Sequence, residues 1–71
     1  MNPLPSTHRR RELAARIREH RDPVADLVTD EFLRRHPDWT DRYGVLARER
    51  GVEDARFHLD FLAGAVEAGD L

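Results

Sequence analysis

Asp54 and His58 stand four residues apart, the spacing at which two side chains share one face of a helix. A carboxylate at that distance can orient and charge an imidazole, or the two can offer themselves together to a bound group. They are the candidate cofactor-binding residues of the chain, and a self-satisfying ion pair is the plainer use of the same two groups. A metal ion needs at least a third donor. His8, His20 and His36 lie outside this segment and make no HxxxH or HExxH pattern, so no metal site is expected and no cofactor is assigned. Glu53 beside Asp54 fits ordinary first-turn helix electrostatics.

Other chemistry has little material. The four serine and threonine side chains Ser6, Thr7, Thr29 and Thr40 belong to no nucleophile elbow, there is no cysteine, and no glycine-rich phosphate loop is present. No catalytic residue is assigned and no enzyme is expected. Trp39 and Tyr43 read as core aromatics, or as the frame of a ligand pocket with His58. The basic side chains are all arginine and gather early: residues 1–21 carry six arginines against two glutamates, a net +4, and the remainder carries −6. Arg9, Arg10, Arg11, Arg16 and Arg18 therefore form a basic patch. It can fold back on the acidic body or meet nucleic acid through salt-dependent contacts of low specificity. The first is expected, because the chain's own carboxylates are the nearest partners.

The elements that must position these residues are helices. Seventy-one residues, 39% apolar and 37% charged, give one small folded domain, residues 6–71, after a flexible 1–5. Ser6 or Thr7 caps a first helix to about Arg21. Asp22-Pro23 starts a second that ends near His36, because Pro37 disfavours the α conformation before it. A third runs from Asp38 or Thr40 to a stop at Gly51, and a fourth from Val52 to Ala68 with Gly69 as its end. No segment alternates with period two, so the fold class is all-α, a bundle of about four helices with the last one longest. The N-terminus lacks a signal-peptide core and no apolar run could span a bilayer, which predicts a cytoplasmic chain with no membrane partner.

The fourth helix predicts association. At about 100° per residue, Val52, Ala55, Leu59, Leu62 and Val66 make one apolar stripe. Phe57, Phe61, Ala65 and Ala68 make another roughly 140° away, where a helix of a monomeric bundle shows one face. Burial on two sides is expected, with the second side meeting another chain. Gly64, costly inside a helix, fits a close helix crossing there. The predicted interface is Phe57, Phe61, Gly64, Ala65 and Ala68.

His36-Pro37, Arg42-Tyr43-Gly44, Glu53-Asp54, Phe57-His58-Leu59, Phe61-Leu62 and Ala68-Gly69-Asp70 together resemble the N-terminal helical domain of bacterial sensory and regulatory proteins. Some of these carry a cobalamin-binding-type module. The resemblance covers residues 30–70 and implies a regulatory input or interaction domain. The expected function is thus a non-enzymatic helical interaction or regulatory module that forms a homo-oligomer or docks a partner helix. The alternatives are a sensor domain binding a tetrapyrrole or metal at His58, and a basic-armed nucleic-acid-binding regulator.

Overall fold

Helical periodicity and glycine punctuation produce four helices in the computed structural model, which describes residues 7–70: α1 (Thr7–Glu19), α2 (Arg21–Arg35), α3 (Pro37–Tyr43) and α4 (Val45–Ala68). No strand occurs among the described residues. The segment 1–5, the Ser6 cap and Leu71 lie outside them. The last helix is the longest and touches all three others.

α1 and α2 are two lengths of one arm. His20, at φ −97° and ψ 7°, interrupts them, yet its N–H donates to the Arg16 carbonyl at 3.0 Å and its carbonyl accepts from Val24 at 3.0 Å. Pro23 is the local cause: it has no N–H to offer the Glu19 carbonyl. The helix start expected at Pro23, with Asp22 as its cap, falls two residues earlier, at Arg21, without a side-chain cap.

This arm lies antiparallel to α4. Arg10 reaches Gly69, Arg18 pairs with Glu67, Arg21 with Asp60, Asp22 with Arg56, Thr29 touches Gly51 and Asp30 holds Arg48. The bundle is in essence an αα-hairpin with α3 folded across its closed end. Its shape follows: extents of 51 × 20 × 15 Å and a radius of gyration of 15.3 Å, against about 11 Å for a compact chain of this length.

Two glycines exchange the roles expected of them. Gly51 does not end a helix; it lies inside α4. The corner is Gly44, at φ 60° and ψ −138°, a region L side chains avoid. The third helix therefore stops at Tyr43, and the fourth begins at Val45, seven residues before the expected Val52. Inside α4, Gly51 leaves room for Thr29 of α2. A Cβ on it would lie 2.7 Å from Thr29 Cγ2. Gly69 does end α4, at φ 78°. The bonds Gly69 N–H to Val66 O and Asp70 N–H to Ala65 O form a Schellman closure.

The seam is built of small residues. Ala14, Ala25, Ala47, Val52 and Ala63 are its buried apolar members, joined by Thr29, and no large side chain among the described residues is fully buried. Alanines let the backbones approach closely but withdraw little apolar area from water.

Candidate functional site

The seam divides the hairpin into two faces of opposite character. On α2 the row in contact with α4 is Arg21, Ala25, Thr29 and Leu33. The row one residue ahead, rotated about 100°, is Asp22, Asp26 and Asp30. These acids are tied across the seam to Arg56 and Arg48: Asp22 to Arg56 at 3.2 Å, Asp30 to Arg48 at 3.0 Å, Asp26 to Arg48 at 3.7 Å. Arg18–Glu67 at 3.1 Å and Arg21–Asp60 at 3.0 Å continue the series toward the open end. Hydrogen bonding from Arg21 is the main reason the Asp22 carboxyl is held below its ordinary value, and Arg34 with Arg35 does the same to Glu31.

The row one residue behind the seam is apolar: Val24, Val28 and Phe32 on α2, continued by Leu13 and Ile17 on α1. Val28 is 55% exposed, Leu13 and Phe32 are also exposed, and Ile17 and Val24 are half-buried. In an antiparallel pair the rows behind the seam of both arms open on the same side. On α4 that row is His58, Leu62 and Ala65, with Phe61 at its outer edge. The hairpin thus has one ion-paired face and one apolar face.

At the closed end α3 covers part of the apolar face. Its aromatics continue a chain of ring contacts. Phe32 lies 4.6 Å from His36 and 5.8 Å from Trp39, and Trp39 lies 5.2 Å from Tyr43. Beneath them is a cleft of ≈ 420 Å³ lined by Phe32, Leu33, Trp39, Tyr43, Leu46, Ala47, Arg50, Gly51 and Asp54, of the size that holds a small molecule.

The expected Asp54–His58 pair is not formed. Asp54 lines this cleft with Arg50, while His58, one turn on, stands outside it with its ring 5.9 Å from Phe57 in an edge-on arrangement. Both are exposed, since α3 ends short of them and only the first half of α4 has a helix on its second side. Trp39 and Tyr43 do frame a pocket, with Phe32 in place of His58. Among the described residues no cluster of three or more His, Asp or Glu side chains could hold a metal ion.

The predicted interface residues lie where nothing covers them. Phe57 is 69% and Phe61 71% exposed, Ala68 is exposed, and Gly64 and Ala65 are half-buried. Within the chain itself a Cβ on Gly64 would meet nothing within 4 Å. The basic patch is partly drawn onto the chain itself. Arg18 pairs with Glu67, and Arg10 donates to Thr7 and lies against Gly69. Arg11 and Arg16 are exposed. The exposed row Leu13, Val28, Phe32 and Leu62 was missed in the sequence, because these residues scatter over three helices and align only once the arm lies against α4.

No helix of the described residues is long and apolar enough to cross a membrane. No family model matches the chain, and no curated protein or solved structure matches it at a significant level.

Proposed function

We propose that this chain is a non-enzymatic helical interaction module that docks a helical partner through the apolar face of its hairpin. One observation carries the reading: Leu13, Val28, Phe32 and Leu62 lie exposed along that face, while the buried seam is mostly alanine. Contiguous exposed apolar surface in a small chain marks an interface. The resemblance of residues 30–70 to helical domains of sensory and regulatory proteins supports a regulatory setting. Replacing Val24, Val28 and Leu62 together by Gln is expected to preserve helicity in dilute solution while reducing the binding of an environment-sensitive apolar dye. Loss of helix in dilute solution would assign the face to the chain's own core and overturn the reading.

A ligand-binding sensor is favoured by one further observation, the aromatic cleft with Arg50 and Asp54 at its edge. That geometry suits a flat apolar molecule carrying a polar group, held by Trp39 and Tyr43. Its test is quenching of the Trp39 fluorescence, the only tryptophan of the chain, on titration with a tetrapyrrole. An unchanged emission would remove this alternative.

A further inference from the structure

We infer that the partner of the apolar face is a second copy of this chain, paired face to face about a two-fold axis as an antiparallel four-helix bundle. The inference rests on the interaction-module reading above and commits it to one occupant.

Area is the first argument. The chain exposes 5846 Å², where a compact monomer of 8.3 kDa exposes about 4,600 Å². The excess of somewhat over 1,000 Å² per chain exceeds the roughly 800 Å² per partner that a stable dimer covers. An alanine seam withdraws little apolar area from water, and small domains without disulfides or metals commonly add to such a core by association.

Shape is the second. The apolar face is stepped, because α3 lies over its closed end against Phe32, Leu46 and Ala47. It is open from about Phe57 to Ala68, a length of about 18 Å, and the facing stretch of the arm carries Leu13 and Ile17. Two copies turned end for end bring open half against open half, and each α3 fills the space beyond the other's end. Turned the same way, the two α3 helices would collide. In the end-for-end arrangement the two-fold axis passes near Ile17 and Leu62. Each therefore faces its own counterpart, whereas the two copies of Val28 stand about 30 Å apart.

The polar face is unavailable for the same role, since its acids are already tied to Arg48 and Arg56. Leu27, 70% exposed, points away from both faces and serves as a control.

The test uses the absence of native cysteine. In sedimentation equilibrium the unmodified chain is expected to rise to twice its monomer mass with concentration. Single variants Leu62→Cys and Ile17→Cys, each checked for helicity, are expected to form covalent dimers under mild oxidation on the order of a hundredfold faster than Leu27→Cys. The gain comes from local concentrations in the millimolar range within the dimer. Val28→Cys is expected to behave like Leu27→Cys, because a disulfide needs its Cα atoms within about 7 Å. Fast cross-linking at Val28 or Leu27 in place of Leu62 and Ile17 would overturn the arrangement. A helical monomer at every concentration would overturn the self-pairing, while dye binding by that monomer would leave the face open to a different partner.

Discussion

At the scale of single residues, the packing of Thr29 over Gly51 makes a prediction in which two wrong substitutions become right together. Gly51→Ala places a methyl 2.7 Å from Thr29 Cγ2, so the buried threonine side chain or one of the helices must move. Thr29 is buried, and its hydroxyl oxygen has no hydrogen-bond partner, a costly arrangement for a polar atom. Thr29→Ala removes that penalty and makes room for the methyl. Gly51→Ala alone is expected to destabilise, whereas the double variant should exceed the parent by about 1 kcal/mol, the helix propensity gained from glycine to alanine. Denaturant unfolding of the four proteins in a double-mutant cycle measures the coupling. Gly44 gives the contrasting case: no side chain blocks it, yet its φ and ψ exclude an L residue. Gly44→Ala should cost about 1–3 kcal/mol with nothing in the way. A loss below that range in thermal unfolding would show that the corner can re-form.

At the scale of elements, the sequence revealed the helices more surely than their ends. Val52, Ala55, Leu59, Leu62 and Val66 declared a stripe, and all of it but Leu62 lies buried or half-buried on the seam side of α4. Asp22-Pro23 and His36-Pro37 marked breaks to within two residues, because proline acts through its own geometry. The two glycines were not separable locally, since a glycine in an apolar-periodic run can end a helix or admit a neighbour. Thr29, twenty-two positions away, decides for Gly51, and that information is absent from the segment itself. The Asp54–His58 spacing was legible, but the orientation of α3 that gives Asp54 to the cleft and leaves His58 outside was not.

Ion pairs within α2 also fix a pH dependence, with Arg56 of α4 adding a smaller share at Asp22. Asp22 is held below its ordinary value chiefly by Arg21, and Glu31 by Arg34 and Arg35. A depressed carboxylate stabilises the fold above its unfolded pKa of about 4, and that stabilisation is lost as pH falls through the lower folded value. Thermal unfolding followed between about pH 2 and 6 should therefore weaken on the acid side. Because Asp22 is bonded across the seam through Arg56, Asp22→Asn should flatten the curve. An unchanged profile in that variant would mean that the pairs of Asp22 with Arg21 and Arg56 contribute nothing measurable, as exposed pairs often do.

For the whole molecule, an elongated hairpin with an alanine seam makes stability a matter of concentration. If the folded species is a pair and the unfolded species single chains, each tenfold rise in protein concentration adds about 1.4 kcal/mol to the stability of the pair. For a dimer of this size that raises the unfolding midpoint by several degrees. A monomeric hairpin would melt at one temperature whatever its concentration. Gly64 adds a second reading of the same equilibrium. With nothing within 4 Å of its Cβ position, Gly64→Ala should stabilise an isolated hairpin by about 1 kcal/mol through helix propensity alone. On the pair, the same gain should appear with the concentration dependence unchanged, because Gly64 faces away from the shared surface. A Gly64→Ala protein that melts lower as a pair, or no longer shifts with concentration, would place the second chain over Phe57, Gly64 and Ala68 on the outer side of α4, and not over Ile17 and Leu62.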